Sequence, residues 1–291
     1  MKKLLILSGK DGTGKTTVAS SFIEFSKAKT FADCDVDAPN LHLVQNFKNQ
    51  PEKSNFLGLK KAKIDPQKCT DCGICLSRCR FDAIKSINQK YEIDEFACEG
   101  CGVCEISCSN NAISMIDDVA GQLMLYKENF VFSTAKLKMG RGNSGKLVAA
   151  VKKQIDESSE ILDICIIDGS PGIGCSVIAS ISGVDLVLVV TEPSLSGISD
   201  MKRILKTIKI FGVKALVCVN KYDTCIEKTD EIEAFCNDKN IEFVGTIPYD
   251  FHVTEAINNG KNVAQVPCSA RTSLLNIFNN TIRFLNVKDI P

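Results

Sequence analysis

The stretch GKDGTGKTT at residues 9–17 constrains the fold most strongly, because it follows the apolar run LLIL and precedes VASSFIEF. Gly9 to Thr16 fits G-x-x-x-x-G-K-[ST], in which glycines allow backbone N–H groups to turn inward around phosphates. The dipole of the helix that follows would also favour a bound phosphate. The sequence therefore predicts a buried strand, a phosphate-binding loop and a helix at the start of the chain.

Each position in this loop has an expected role. Lys15 would reach the β and γ phosphates of a nucleotide, and Thr16 would ligate Mg²⁺. Asp11 is unfavourable beside phosphates unless its side chain points away or meets a cation. The residues expected to form the nucleotide site are Gly9, Lys10, Asp11, Gly12, Thr13, Gly14, Lys15, Thr16 and Thr17.

Two further stretches place acids near this loop. ADCDVDAPNL (residues 32–41) is an acidic turn that contains Asp35, and LDICIIDGSPGIG (residues 162–174) is a buried strand that ends in Asp168. After a phosphate-binding loop, an acid at the end of a strand predicts a carboxylate that holds Mg²⁺ through water. A plain acidic turn is the alternative interpretation of the first stretch.

The rest of the chain alternates between strand and helix patterns. Strands are predicted at 185–191, 213–220 and 241–247, and helices near 197–211, 227–239 and 273–285. Near-continuous apolar strands separated by helices indicate an α/β, doubly wound, mostly parallel sheet covered on both faces. Asn220 closes one of these strands, at the edge where such sheets bind ligands.

These motifs resemble the MinD superfamily of P-loop NTPases of the SIMIBI type, in which a second lysine marks the loop as KGGxGKT. The resemblance implies an ATP-dependent homodimer or paralogous heterodimer, with Lys10 reaching the nucleotide of the partner. It also implies that Asp35 positions the attacking water, so Lys10, Lys15 and Asp35 are the expected catalytic residues. Asn220 would read the adenine, although a strand cap is an alternative. Asp11 departs from the glycine that is usual in the family.

Two cysteine runs form a tandem repeat in the middle of the chain. Both follow C-x2-C-x2-C-x3-C, and each cysteine of the second run lies 29 residues after its counterpart. The apolar run near Met1 is too short for the core of a signal peptide, so a reducing compartment is expected, and fifteen cysteines in such a compartment favour metal binding over disulfides. The first run is Cys69, Cys72, Cys75 and Cys79, and the second is Cys98, Cys101, Cys104 and Cys108.

The repeat resembles the bacterial two-cluster ferredoxin, an α+β domain. By that resemblance, Cys69, Cys72, Cys75 and Cys108 bind one [4Fe-4S] cluster, and Cys98, Cys101, Cys104 and Cys79 bind the other. Zinc held by cysteine pairs is the alternative. The expected organisation is an ATPase domain formed by residues 1–63 and 117–291, with a ferredoxin-like domain inserted at 64–116.

Composition excludes several classes of partner. The 35 basic and 35 acidic residues give a formal net charge of zero, so no nucleic-acid partner is expected. The longest apolar runs are much shorter than the roughly 20 residues that cross a bilayer, and the C-terminal apolar segment lacks a basic face, so no membrane anchor is expected. These features predict a cytoplasmic protein.

The combined motifs predict an ATP-binding iron–sulfur protein with two [4Fe-4S] clusters, ATP and Mg²⁺ as cofactors. Three hypotheses follow. The chain is a slow ATPase whose dimer gates electron transfer to a redox partner, a maturation ATPase that delivers metal or clusters to an apo-metalloenzyme, or a positioning or regulatory ATPase that senses redox state. Two complete cysteine sets favour the first hypothesis, because fixed clusters suit a relay better than a labile cargo.

Overall fold

The computed structural model describes residues 1–45, 47–158 and 164–285. In the described residues, helices and strands alternate through most of the chain. The strands are β1 (Lys2–Ser8), β2 (Thr30–Asp33), β3 (Glu52–Leu57), β4 (Lys61–Ile64), β5 (Ile84–Ile87), β6 (Lys90–Ile93), β7 (Ile113–Ile116), β8 (Val119–Lys127), β9 (Val131–Leu137), β10 (Ile164–Asp168), β11 (Leu186–Thr191), β12 (Lys214–Asn220) and β13 (Glu242–Ile247). The α-helices are α1 (Lys15–Ser26), α2 (Ile74–Arg78), α3 (Val103–Ile106), α4 (Ser144–Ser158), α5 (Cys175–Ile181), α6 (Leu195–Ile210), α7 (Ile226–Asp238), α8 (Phe251–Asn258) and α9 (Ser269–Ile282).

The large sheet has the strand order β13-β12-β11-β1-β10-β2-β9-β8-β3. The pairings from β13 through β9 are parallel. Leu4 to Leu7 in β1 are fully buried. Both faces of this strand are covered, so it carries a continuous apolar run and not an alternation of apolar and polar side chains. In the register of β1 and β10, Ile6 lies opposite Asp168, so the loops after both strands emerge at the same edge.

The mostly parallel sheet predicted from the sequence is confirmed. The three later strands and three later helices form close to the predicted positions, although α9 begins earlier and ends before 285. The predicted strand and turn at 162–174 begin outside the described residues, and the described part forms β10. Strands β3, β8 and β9 were not predicted.

Helices cover the sheet, and α1 and α9 pack together over one part of it. Phe22 of α1 meets Phe278 of α9 edge to face, with ring centroids 5.2 Å apart. Both rings belong to an extensive buried apolar cluster that also includes Leu4, Ile6 and Leu188. This core fixes the start of α1, and therefore the loop before it, against the sheet. Within the described residues, no helix is long and apolar enough to span a bilayer.

The chain separates into two compact units. The first unit comprises 1–53, 123–136 and the residues from Ser144 on, and the second unit comprises 54–122 and 137–143. The second unit starts before and ends after the predicted insert at 64–116, and it includes a separate stretch, Leu137–Asn143.

The sequence repeat in the second unit is also a repeat of backbone structure. Strand β4 pairs with β7 and β5 pairs with β6, both antiparallel. Helices α2 and α3 each follow a glycine with positive φ, 76° at Gly73 and 77° at Gly102. Asp65 and Asp94, 29 residues apart in the sequence, each donate a backbone N–H bond of 2.7 Å to an alanine carbonyl of the other half.

Candidate functional site

The phosphate-binding loop connects β1 to α1 at the carboxyl edge of the sheet. Gly12 and Gly14 have φ of 77° and 90°, a conformation that favours glycine. A Cβ at Gly14 would also overlap the side-chain amide of Asn220. The N-terminus of α1 therefore opens directly into the loop, where its free N–H groups favour an anion.

Lys15 lies in a buried ion-pair network at the start of α1. Its Nζ is 2.8 Å from Asp168 Oδ1 and 3.6 Å from Asp35 Oδ2, and its side chain is only 6% exposed. Burial lowers the pKa of Lys15, but the charges of Asp168 and Asp35 outweigh burial, so its pKa is raised. Thr16 Oγ1 donates to Asp168 Oδ2 at 2.6 Å and also lies 3.0 Å from Asn40 Oδ1.

Asp33 organises the acidic loop, a role that was not predicted from the sequence. Its Oδ1 accepts the N–H of Asp35 at 2.9 Å, and its Oδ2 accepts those of Asn40 and Leu41 at 3.0 Å. Burial and the charge of Asp168 raise the pKa of Asp33 to about 7. Burial and the same charge raise the pKa of Asp35 to about 6, although Lys15 opposes this rise. The carboxyl groups of Asp33, Asp35 and Asp168 therefore outnumber the single ammonium group of Lys15 beside them.

A pocket of about 360 Å³ lies over the loop. This volume is within the range typical of small-molecule sites. Most of the predicted loop residues line the pocket, and so do Asp35 and Asn40. Its far part is formed by residues that no sequence motif marked, because they come from separate segments: Leu43, Val44, Ile257, Lys261 and Val263.

Lys10 and Asn220 are held by other groups of the protein. Lys10 Nζ lies 3.2 Å from Glu192 Oε2. Asn220 Nδ2 donates to the carbonyl of Thr13 at 2.8 Å, and its Oδ1 accepts the N–H of Lys221 at 3.0 Å. The amide predicted to read adenine thus supports the loop in this structure, and Asn220 also ends β12.

The turn after β10 is connected to the acidic loop. Gly172 has φ of 89° and donates its N–H to Ser8 O at 3.1 Å. Ser170 Oγ donates to Cys34 O at 2.5 Å, and the N–H of Cys34 donates to Asp168 O at 2.7 Å. Cys34 is fully buried, and burial raises the pKa of its thiol far above the usual range, so it is not a reactive thiol.

The eight cysteines of the two runs surround two cavities within the second unit. One cavity is lined by Cys69, Cys72, Cys75 and Cys108. The other is lined by Cys79, Cys98, Cys101 and Cys104. Each set combines the first three cysteines of one run with the last cysteine of the other. Within residues 1–45, 47–158 and 164–285, no group of three or more His, Cys, Asp or Glu side chains is arranged to hold a metal ion.

Comparison with known proteins identifies the family of the chain. Residues 4–263 match the CobQ/CobB/MinD/ParA nucleotide-binding domain, and the chain belongs to this family. The match confirms the predicted MinD/ParA relationship.

The chain is also similar to several proteins of known sequence or structure. An uncharacterised protein of Methanocaldococcus jannaschii is 34% identical over 262 residues, which are 88% of each chain. An uncharacterised ATP-binding protein of the same organism is 26% identical over 259 residues, 87% of this chain and 76% of the relative. MinD of Aquifex aeolicus has a similar fold, with a TM-score of 0.57 at 16% identity over 100% of this chain and 99% of MinD. The Cyanothece McdA(D38A)–ATP complex has a TM-score of 0.57 at 19% identity, over 100% and 98%.

Proposed function

We propose that the chain is a slow ATPase that carries two [4Fe-4S] clusters and uses an ATP-dependent dimer to gate electron transfer to a partner protein. The observation that carries this proposal is the composition of the two cavities. In each cavity, three cysteines of one run meet the last cysteine of the other, as expected for ferredoxin-like cluster sites. On this proposal, the second unit contains the ferredoxin-like insert.

The donor chemistry of the cavities fits iron–sulfur clusters. All four candidate ligands in each set are thiols, the soft donors that iron–sulfur clusters require. A single zinc ion would draw its sulfurs to within about 4 Å of each other, given Zn–S bonds of about 2.3 Å in a tetrahedron. The four cysteines of each set line a cavity, and among the described residues neither set is arranged around a single metal ion. Bound clusters would supply one-electron redox chemistry.

The oxygen groups at the phosphate loop fit Mg²⁺. Thr16 Oγ1 and the carboxylate of Asp168 are 2.6 Å apart, and Asp35 lines the same pocket. Hydroxyl and carboxylate oxygens are the ligands that Mg²⁺ prefers, and it often binds through water. Burial first, and then the charge of Asp168, raise the pKa of Asp35, and a divalent cation would offset the effect of that charge. Thr16 and Asp168 would therefore hold the ion.

The remaining groups have distinct roles in nucleotide turnover. Lys15 would turn from Asp168 and Asp35 toward the phosphates, and the free N–H groups at the start of α1 would face them. The Asp35 carboxylate would accept a hydrogen bond from the attacking water and orient it. Among the described residues that line the pocket, Lys15 and Lys261 are the only cations. Few positive charges are therefore available to stabilise the transition state, so slow hydrolysis is expected.

Anaerobic reconstitution tests the proposal. The protein should retain about eight iron atoms per chain, and redox titration should give midpoint potentials that change when Mg–ATP is added. The Cys72→Ser variant should lose one cluster signal. Cys225→Ser is the matched control, because Cys225 lies outside both sets, and it should keep both signals.

Two outcomes would reject gated electron transfer. If the wild-type protein retains no iron, the cysteine sets do not bind clusters. If potential and cluster accessibility are identical with and without Mg–ATP, the nucleotide does not gate the clusters. Release of iron upon addition of ATP would replace gating by metal delivery.

A further inference from the structure

Glu192 connects two lysines beside the phosphate loop. It follows β11, and its side chain is 17% exposed. One carboxylate oxygen lies 3.2 Å from Lys10 Nζ, and the other lies 2.7 Å from Lys221 Nζ. Lys221 also approaches the loop, since its Nζ donates to Gly12 O at 3.4 Å. A single carboxylate therefore bridges the loop and the end of β12.

Lys10 and Lys15 belong to the same loop but lie in different places. Lys15 lines the pocket, as do Ser8 and Asp11, whereas Lys10 does not. Besides Glu192, Lys10 Nζ contacts Ser196 Oγ at 3.4 Å, at the start of α6. Among the described residues, the Lys10 ammonium thus contacts Glu192 and Ser196, neither of which lines the pocket.

The bridge competes with any anion that would engage Lys10. Burial raises the pKa of Glu192, but hydrogen bonds and charge from Lys221 and Lys10 outweigh burial and lower it, so the carboxylate is ionised at neutral pH. A phosphate must therefore replace a charged partner of Lys10. Partly exposed ion pairs contribute modestly, which corresponds to an effect of about two- to fivefold on binding.

We propose that Glu192 is a positioning residue that holds Lys10 outside the phosphate pocket until a polyphosphate displaces it. The choice of ATP as that polyphosphate rests on the proposed function. The bridge favours the nucleotide-free arrangement of the loop, and its loss leaves Lys10 free to meet phosphate oxygens.

The test measures Mg–ATP affinity in a double-mutant cycle. Glu192→Gln should bind Mg–ATP about two- to fivefold more tightly than the wild type. In the Lys10→Ala background, the same substitution should have no effect. Glu192→Asp, which keeps the carboxylate, should return the affinity toward the wild-type value. The matched control is Glu231→Gln, which removes the carboxylate of an ion pair with Lys228 on α7 and should leave affinity unchanged.

A second measurement needs no nucleotide. The rate of acetylation of Lys10, followed by mass spectrometry, should rise in Glu192→Gln because the amine is released, while Lys153 labels at the wild-type rate. An equal gain in ATP affinity with and without Lys10 would overturn the proposal, because it would show a general charge effect. Unchanged labelling of Lys10 would overturn it as well. If Lys10 labelling rises but the wild type binds no Mg–ATP, the positioning role stands and the proposed function fails.

Discussion

The two units differ in what holds their functional groups in place. In the first unit, Lys15, Thr16 and Asp168 contact one another directly and lie on a large buried core. In the second unit, the buried apolar cluster is small, with Ala62, Ala83, Cys98 and Ile113 at its centre and other cysteines packed against it. Protein side chains thus organise the first site, whereas the second unit has few apolar groups to keep its cysteines in place without a ligand.

If the cysteine-lined cavities hold clusters as proposed, removal of iron should have the largest effect and should separate the units. Small domains with minimal cores depend on bound metal for folding free energy. Anaerobic chelation should therefore abolish hydrogen-exchange protection across 61–116, while amides of β1, β10 and β11 stay protected and Mg–ATP still binds. Full protection of 61–116 in iron-free protein would contradict the comparison.

Substitution of Lys15 should affect only the first unit. Lys15→Ala removes the cation that would meet the phosphates and should weaken Mg–ATP binding at least 100-fold, which corresponds to about 3 kcal/mol. The cluster spectrum should be unchanged. Lys153→Ala, an exposed lysine in an ion pair with Glu157, is the control for nucleotide titrations. Loss of the cluster spectrum in Lys15→Ala would show that the sites are not separable.

Arg141 offers a smaller test within the second unit. Its side chain is 8% exposed, lies 2.6 Å from Glu95 and 3.1 Å from Asp118, and covers the ring of Phe96. Arg141→Ala leaves Asp118 without its cation and should destabilise the second unit by about 2 to 3 kcal/mol.

Lys would keep the charge at position 141 but could not contact Glu95 and Asp118 from different nitrogens of one planar group, so the stability of Arg141→Lys should lie between those of Arg141→Ala and the wild type. Local hydrogen exchange of 93–98 measures the effect. Equal protection in wild type and Arg141→Ala would show that this contact contributes nothing to the second unit.

The smallest expected effect concerns pH and Asp35. A carboxyl group whose pKa is raised in the folded state, here to about 6 from 3.8, adds stability below about pH 4 that is lost as pH rises through 6. Asn does not ionise, so the Asp35→Asn variant does not lose stability in this way. The free energy of unfolding of Asp35→Asn minus that of the wild type should therefore rise by on the order of 1 kcal/mol as the pH goes from 4 to 7.

Denaturant unfolding of nucleotide-free and Mg²⁺-free protein at several pH values measures this difference. A difference that stays constant with pH would contradict the raised pKa. Added Mg²⁺ should reduce the difference, because it offsets the charge of the ionised Asp35.

Local motifs explain why much of the first site could be predicted. Gly14, Lys15 and Asp168 follow from a loop and a strand end, and parallel strands bring their carboxyl ends to one edge. The resemblance of the cysteine repeat to the two-cluster ferredoxin gave the two sets of cysteines that line the cavities. The sequence could not distinguish the role of Asp33 from that of Asp35, because the two acids differ only in which backbone N–H groups the folded loop presents.

Other parts depend on tertiary structure that no motif carries. Glu192 follows an ordinary apolar strand, and its contact with Lys10 exists only because β11 lies beside β1. Lys261 and Val263 reach the pocket from the far end of the chain. The stretch around Arg141 lies next to α4 in sequence, and nothing local shows that its contacts are with Glu95 and Asp118.

Because Leu137–Asn143 belongs to the second unit, it determines where the chain can be cut to produce each unit separately. A gene fragment cut at the ends of the predicted insert, 64–116, would leave both Arg141 and Asp118 behind, and Glu95 and Phe96 would lose their contacts with Arg141. A fragment that contains the whole second unit must join residues 137–143 to residues 54–122. A variant that lacks the second unit must join residue 53 to 123 and residue 136 to 144.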